Sequence, residues 1–265
     1  KVHPYKWATI GKEIAHIEQA TMEDVKAFFA KHYCPTNAVM VVAGNVTVPQ
    51  VKALAEKWFE PIPSGEKPVR NLPVEPSQTA YRREVVHADV PFDALYMAFR
   101  MCSRYDKEYY AMDLISDILS RGNSSRLYNR LIKEKNLFSE LNAYVMGELD
   151  KSIFIVSGKT NKGISIEDAE RAVMEELHKL CTEEVADREL QKVKNKVESS
   201  MFFGEMGVLD KAMNLAFFEL MGDADRVNSE VDRYQAVSAS AIKELAMQVF
   251  RKENCSVLHY LSKEA

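Results

Sequence analysis

The sequence predicts an α+β fold in which helices pack on one face of a largely antiparallel sheet. Segments with strand-like alternation come in adjacent pairs, whereas segments with helical periodicity come in consecutive runs, and this grouping is typical of α+β domains. The start of the chain also resembles its end, which suggests duplicated units. At 265 residues with 46% hydrophobic content, the chain is long enough for about one and a half ordinary domains.

The similarity between the two ends covers residues 21–44 and 238–261, which align without a gap at an offset of 217 positions. Each copy begins with a hydroxyl residue suited to cap a helix, and each predicts an amphipathic helix, a polar turn and a strand. The matching positions are Thr21 with Ser238, Val25 with Ile242, Phe28 with Leu245, Tyr33 with Phe250, Asn37 with Asn254 and Val41 with Leu258. Because identity is low, chance similarity between two common helix–strand units is the alternative interpretation.

A proline-rich stretch suggests where the chain divides. Five of the nine prolines lie between Glu60 and Gln78, a pattern typical of an extended surface linker. We interpret residues 1–65 as the C-terminal part of a first domain, 66–79 as the linker and 80–265 as a complete second domain. On this interpretation the chain starts inside a domain.

The elements after the linker follow from periodicity and turn residues. Strands Tyr81–His87 and Ala94–Met101 are expected to pair as a hairpin across Asp89–Asp93, and a second hairpin is expected to join Leu141–Glu148 to Ser152–Lys159. Helices are expected at 108–121, 125–135, 166–181, 186–203, 207–221 and 223–235, followed by the helix and strand of the repeat.

Composition excludes several classes of function. The net charge of −4 gives no overall attraction to nucleic acid or to an anionic membrane. The longest apolar run, Ala38–Gly44, is far too short to span a bilayer. We therefore expect a soluble protein, with the compartment, bacterial periplasm or cytoplasm, left open. The four cysteines form no C-x-x-C pair, so we expect buried free thiols and no cysteine zinc site.

No catalytic motif is evident in the residues themselves. None of the six histidines has a second histidine three or four residues away, so a helix-borne zinc pair is absent from the sequence. A nucleophile elbow, a P-loop and a dinucleotide glycine pattern are absent too. His178 lies near Glu175, Glu176 and Cys181, but a metal site there would be mixed and exposed, and a solvated helix face is the simpler interpretation.

Several motifs together resemble the insulinase/pitrilysin type of zinc metallopeptidase, which includes mitochondrial processing peptidase and bacterial relatives. His3-Pro4-Tyr5, Tyr33–Ala38 and Val41–Val46 resemble the closing part of one peptidase half. The run Leu119–Lys135, with Ser124-Ser125-Arg126-Leu127, resembles the second half. The resemblance implies a LuxS-like or processing-peptidase-like α+β domain and explains the duplication, since such enzymes contain two homologous domains.

The resemblance also implies where metal ligands would lie. The active half of such enzymes carries H-x-x-E-H on a helix, whose histidines bind zinc while the glutamate acts as general base. In this chain the corresponding positions are Asp113, Ser116 and Asp117. Two aspartates could in principle hold a hard cation, but nothing supplies the remaining ligands. We therefore expect no catalytic or metal-binding residue here, and we expect zinc in an active partner half.

The second half of the family commonly supplies residues that contact substrate. By alignment, Lys133 replaces an arginine and Ser139 replaces a tyrosine, and neither reproduces the original contact, since Lys lacks the bidentate fork. The loop Gly122–Ser125 lies where relatives carry a glycine-rich substrate loop, although a plain turn between helices explains it equally well. The candidate substrate-binding residues are Gly122, Asn123, Ser124, Ser125, Lys133 and Ser139.

The resemblance predicts a non-catalytic portion of a zinc-dependent peptidase that is inactive alone. Together with an active half, in the same polypeptide or a separate subunit, it would form part of a chamber around an extended peptide. The Leu141–Lys159 hairpin could offer a sheet edge to that peptide, or it could be purely structural. Two alternatives remain: an upstream segment could carry the zinc motif, or both halves could lack activity in a structural or assembly subunit.

Overall fold

The structure is a computed structural model that describes residues 2–7, 11–67 and 69–263. It divides into two compact units. The N-terminal unit comprises Lys1–Ser77 and Gly204–Val227, and the C-terminal unit comprises Gln78–Phe203 and Asn228–Ala265. The sequence did not predict that residues 204–227 cluster with the start of the chain. The domain limits 1–65, 66–79 and 80–265 stay a prediction.

The C-terminal unit contains a five-stranded sheet. The strands are β1 (Arg82–Ala88), β2 (Ala94–Arg100), β3 (Phe138–Val145), β4 (Ile153–Thr160) and β5 (Cys255–Ser262). Their order in the sheet is β1-β5-β2-β4-β3. Only β1 and β5 run parallel, and the other neighbours are antiparallel, so the α+β prediction is confirmed.

The predicted pairing of the first two strands is wrong, because β5 lies between β1 and β2. The five-residue connection between them is long enough to cross one strand, since neighbouring strands lie about 5 Å apart. Residues at the two sides of this connection bind the end of β5. Ser262 N donates to Asp93 Oδ1 at 2.7 Å, and Lys263 N donates to Ala88 O at 3.0 Å. The second predicted hairpin is correct and forms β3 and β4.

Helices cover one face of this sheet. Residues of β2 alternate between fully buried side chains, such as Leu95, Met97 and Phe99, and the more exposed Tyr96. The helices of the unit are α4 (Tyr109–Ser120), α5 (Ile166–Thr182), α6 (Asp187–Gly204), α8 (Glu230–Gln235) and α9 (Ala239–Val249), with a π-helical segment at Tyr128–Glu134. Gly204, the last residue of α6, is assigned to the N-terminal unit. The buried side of the sheet faces α4 and α5, and α9 packs on both of these helices.

Strand β4 approaches β3 closely at Gly158, where a side chain has no room. A Cβ there would lie 2.7 Å from Glu140 O and 2.9 Å from Phe138 Cδ1. We expect Gly158→Ala to lower the free energy of unfolding by about 1–3 kcal/mol through overpacking. Gly204→Ala is the control, because a Cβ at Gly204 meets nothing within 4 Å. Denaturant unfolding followed by circular dichroism tests this, and equal midpoints for the two variants would contradict it.

The N-terminal unit contains α1 (Ala15–Glu18), α2 (Met22–His32), α3 (Val48–Trp58) and α7 (Val208–Leu220). Capping boxes at Thr21 and Thr47 begin α2 and α3. The strand predicted after α2 is not formed in the described structure, where residues 38–43 have no regular structure. A strand requires a neighbour for its backbone hydrogen bonds, and the described residues supply none there. Across the described residues, no helix is both long and apolar enough to cross a membrane.

Candidate functional site

Helix α4 carries the positions that correspond to the zinc motif of the family that the sequence resembles. Its apolar residues, such as Leu114, Ile115 and Ile118, are fully buried. The helix has therefore kept the face that packs in the core. It differs from a zinc-binding helix in the residues at the three motif positions, which are Asp113, Ser116 and Asp117.

Asp113 and Ser116 each take part in a hydrogen bond within the fold. The Tyr234 hydroxyl, from α8, donates to Asp113 Oδ2 at 2.6 Å. The Ser116 hydroxyl donates to the backbone carbonyl of Asp113 at 2.8 Å. Burial, and then the negative charge of Asp113, raise the pKa of Tyr234 above its ordinary value. These contacts hold Tyr234 protonated as a hydrogen-bond donor to the aspartate.

Asp117 is buried, with 3% of its surface exposed, and it pairs with Arg121 one turn later. Arg121 Nη1 lies 3.2 Å from Asp117 Oδ1, whereas Oδ2 has no hydrogen-bond partner among the described residues. Burial raises the pKa of Asp117, and Arg121 opposes that rise only in part. The Asp117 carboxylate is thus already paired with a cation, the Arg121 guanidinium.

The residues on α4 do not fit zinc. The positions hold no histidine or thiolate, and both carboxylates already have partners in Tyr234 and Arg121. Within residues 2–7, 11–67 and 69–263, no group of three or more His, Cys, Asp or Glu could hold a metal ion. His178, on α5, is exposed.

The loop Gly122–Ser125 joins α4 to the π-helical segment and is attached to α6. Lys192 Nζ donates to Ser124 O at 3.3 Å and to Ser124 Oγ at 3.1 Å, and Lys196 Nζ donates to Arg121 O at 3.3 Å. Gly122 has a φ of +90°, a conformation that favours glycine. Asn123 and Ser124 are exposed, whereas the Ser125 side chain is fully buried and therefore out of reach of a peptide at the surface.

Lys133 and Ser139 are both exposed and lie on two elements that pack together, the π-helical segment and β3. Ser139 occupies a β-bulge, where the register shifts between Phe138 and Glu140, and its hydroxyl donates to Lys159 O at 3.3 Å. The predicted substrate residues thus lie on separate elements, and a contact with substrate stays a prediction for each of them.

The open face of the sheet is a candidate surface that the sequence analysis missed. It is shallowly concave and carries aromatic and aliphatic side chains at its centre, with charged residues of β1 at one side. Tyr96 is 45% exposed and Tyr144 is 41% exposed. The alternation along β2 and β3 could have revealed both tyrosines, because it places them opposite the core positions. Its residues include Tyr96, Ala98, Tyr144, Ile155, Leu258 and Arg82.

A family model described as the Peptidase M16 inactive domain matches residues 19–197, which is more than half of the chain. The chain belongs to this family. The match confirms the resemblance to zinc metallopeptidases seen in the sequence motifs.

Two of the relatives carry the name zinc protease. The chain is similar to the zinc protease PqqE of Helicobacter pylori, with 27% identity over 94% of this chain and 56% of that protein. An uncharacterized zinc protease of Bacillus subtilis, YmxG, is 20% identical over 87% of this chain and 56% of that protein. The chain thus spans about half the length of the curated relatives it matches.

Solved structures agree with the fold. A protease from Helicobacter pylori superimposes with a TM-score of 0.89 and 26% identity, over 98% of this chain and 63% of that chain. A peptidase M16 inactive domain from Pseudomonas fluorescens gives a TM-score of 0.85 at 18% identity, over 97% of this chain and 61% of that chain, which shows a shared fold.

Proposed function

We propose that this chain is the non-catalytic wall of a peptide-enclosing chamber whose active half carries the zinc motif. The observation that carries the proposal is helix α4, which retains its buried apolar face while Asp113, Ser116 and Asp117 replace the metal donors. A helix that packs in the core but lacks metal donors is expected in a half that forms part of the substrate site, while its partner half cleaves the peptide bond. On this proposal the chain is inactive alone, and zinc belongs to the active half.

The proposal includes the domain assignment. Residues 1–65 would close the active half's domain, residues 66–79 would link the halves, and residues 80–265 would form the inactive domain. The active half would be supplied by the same polypeptide or by a separate subunit. An extended peptide is the substrate class that suits a chamber wall made from a sheet.

The sheet offers two ways to hold such a peptide. Tyr96 and Tyr144 present exposed rings on the open face, and aromatic rings bury much apolar area for little lost side-chain entropy. Strand β3 also lies at the edge of the sheet, with no further strand beyond it in the part of the chain that the structure describes. An unpaired edge can accept an extended peptide through backbone hydrogen bonds.

The test uses the natural protein with its active half and an unstructured, quenched fluorogenic peptide. We expect Tyr96→Ala to raise KM about threefold to tenfold, the equivalent of one aromatic contact, and to leave the zinc content unchanged. Tyr105→Ala is the matched control, since Tyr105 is 44% exposed but lies outside the strands. An unchanged KM for both Tyr96→Ala and Tyr144→Ala would reject the open face as the peptide wall.

Zinc analysis of the same natural protein separates the proposal from its alternative. We expect about one tightly held zinc for each active half, retained after dialysis. If the protein held no zinc and cleaved no peptide, a structural or assembly subunit without activity in either half would replace the proposal.

A further inference from the structure

The open face of the sheet has a depression at its centre, because short side chains lie there. Ser256 of β5 lies beside Ala98 of β2 in the sheet register, and Ile155 of β4 bounds Ala98 on the other side. These three residues are called the Ala98 row below. Tyr96 and Leu258 form the next row on the same face, with longer side chains. The depression has a volume of about 450 Å³, within the range of about 300–1,000 Å³ typical of ligand pockets.

Arg82 of β1 lies at one end of the Ala98 row, where it pairs with Ser256 in the register of β1 and β5. The next residue, Arg83, points to the opposite face, and its guanidinium pairs with Glu170 of α5 at 2.8 Å. Because side chains alternate along a strand, Arg82 lies on the open face. Its side chain is exposed and makes no ion pair with any residue that the structure describes. Its charge is therefore available to a ligand.

The other polar side chains beside the depression are bonded within the fold or lie in the next row. The Ser256 hydroxyl donates to Gln78 Oε1 at 3.0 Å, so it is already used. Glu84 also lines the depression, but it lies opposite Leu258, one row away from Ala98. The Arg82 guanidinium is therefore the charged group at the end of the Ala98 row, where the short side chains leave the most space.

We propose that the depression selects peptides that carry a large apolar side chain close to a carboxylate. The apolar side chain fills the space over Ala98 and Ser256, beside the Tyr96 ring. The carboxylate accepts hydrogen bonds from the Arg82 guanidinium, whose planar fork can donate two parallel hydrogen bonds to one carboxylate. This inference rests on the proposed function, since it names the class of peptide that the open face would hold, and it assigns Arg82 as the residue that determines specificity.

The spacing of the strands sets how far apart the two groups lie in the peptide. Neighbouring strands are about 4.8 Å apart, so Arg82 of β1 and Ala98 of β2, with β5 between them, are separated by roughly 10 Å. In an extended peptide that lies across the strands, side chains two residues apart point to the same side and are about 7 Å apart. The long Arg82 side chain covers the remaining distance. The carboxylate is therefore expected two residues away from the apolar side chain.

Peptide binding to the natural protein with its active half tests this selection. Three labelled, unstructured peptides carry glutamate, glutamine or lysine at one position, two residues from a phenylalanine, in two sets that place this position before or after the phenylalanine. Stopped-flow fluorescence anisotropy measures Kd before cleavage proceeds. In one of the sets we expect the glutamate peptide to bind about tenfold more tightly than the glutamine peptide, and the lysine peptide to bind most weakly. Salt at about 1 M is expected to reduce these differences.

Charge variants of β1 make the test specific. Arg82→Gln is expected to remove the preference, so that the glutamate and glutamine peptides bind equally well, while the Kd of the glutamine peptide stays unchanged. Glu84→Gln is expected to tighten binding of the glutamate peptide, because it removes a like charge from the neighbouring row. Arg130→Gln is the matched control, since Arg130 is an exposed arginine of the π-helical segment, outside the sheet. A preference that survives Arg82→Gln, or that falls equally in both arginine variants, would overturn the inference.

The apolar part of the inference has its own variant, Ala98→Leu, which fills the depression. We expect it to weaken binding of the glutamate peptide about threefold to tenfold, because the phenylalanine loses its contact with the sheet. A peptide with alanine in place of that phenylalanine is expected to bind both proteins equally, and circular dichroism shows whether the variant is folded. If it is not folded, the wild type decides: equal binding of the phenylalanine and alanine peptides would contradict an apolar site.

Zinc content and peptide cleavage, measured on the same samples, keep the inference and the proposed function distinguishable. Equal binding of the three peptides by a protein that holds zinc and cleaves them would reject the inference and leave the proposed function intact. Preference for the glutamate peptide without zinc or cleavage would reject the proposed function and leave the binding site intact. Binding of none of the peptides would overturn the inference, and self-association in sedimentation velocity would then identify a second copy of the chain as the occupant of the face.

Discussion

Replacing Glu230 with alanine is expected to lower the free energy of unfolding of the C-terminal unit by about 3–5 kcal/mol, because it leaves a buried arginine without its partner. Glu230 is fully buried in α8. Its carboxylate accepts from the Tyr110 hydroxyl at 2.6 Å and from Arg104 Nη2 at 3.1 Å. The Arg104 guanidinium also lies over the Tyr109 ring, 4.0 Å from its centre.

The loss arises mainly from Arg104, whose side chain is only 13% exposed. Once the carboxylate is gone, the guanidinium must stay buried and unpaired or pull out of its site. Glu230→Gln keeps an acceptor for Tyr110 but not the charge, so we expect an intermediate loss. Denaturant unfolding monitored by circular dichroism measures both variants.

An exposed ion pair of the same residue types provides the control. Arg130 and Glu134 lie 3.1 Å apart, with side chains 56% and 55% exposed. We expect Glu134→Ala to cost at most about 0.5 kcal/mol, because solvent screens the pair. A Glu230→Ala cost as small as that of the control would show that the buried pair is not needed for stability.

Local sequence patterns predicted the elements far better than their pairing. Helices α4, α5 and α6 begin and end within one residue of the predicted bounds, because periodicity and caps act over short distances. The neighbour of β1 could not be predicted in this way. It is β5, more than 160 residues later, and alternation alone does not identify a distant partner.

In the candidate site, too, local features could be predicted from the sequence, whereas contacts between distant residues could not. The motif alignment located Asp113 and Asp117 on a buried helix, but it could not show that Tyr234 and Arg121 occupy their carboxylates. The open face was within reach of the sequence, because Tyr96 alternates with core residues. Contacts made by Glu170 were not, since its partners lie 87 or more residues away along the chain.

The C-terminal unit is expected to lose stability in acid through Glu170, a buried carboxylate of α5. Glu170 Oε1 accepts from the Tyr81 hydroxyl at 2.6 Å, and Oε2 lies 2.8 Å from Arg83 Nη2 and 2.7 Å from His259 Nε2. Burial alone would raise the pKa of Glu170, but the hydrogen bonds from Tyr81, His259 and Arg83 outweigh it and lower the pKa. The carboxylate thereby attaches the edge strand β1 and the strand β5 to α5.

The sign of the pH effect follows from the lowered pKa. The folded protein holds Glu170 ionised at pH values where the unfolded chain begins to bind a proton, near the ordinary value of 4.5. The stabilisation is therefore complete above that pH and is lost as the pH falls through the lower, folded pKa. We expect Glu170→Gln to cost about 3 kcal/mol at pH 7 and progressively less as the medium becomes more acidic.

Glu140 is a surface carboxylate whose pKa is also lowered, so it serves as the control for Glu170. It distinguishes the effect of the buried hydrogen-bond network on stability from the effect of ordinary carboxyl titration. Glu140 pairs with Lys159 at 3.0 Å, and the hydrogen bond from Lys159 lowers its pKa, but both side chains are 55% exposed. Solvent screens this pair, so the free energy of unfolding of Glu140→Gln is expected to follow the wild-type pH dependence closely. Unfolding curves between about pH 3 and pH 7 give the free energy of unfolding of the wild type, Glu170→Gln and Glu140→Gln. This range covers the ordinary carboxyl pKa values. A Glu170→Gln profile parallel to wild type would mean that other carboxylates cause the acid sensitivity.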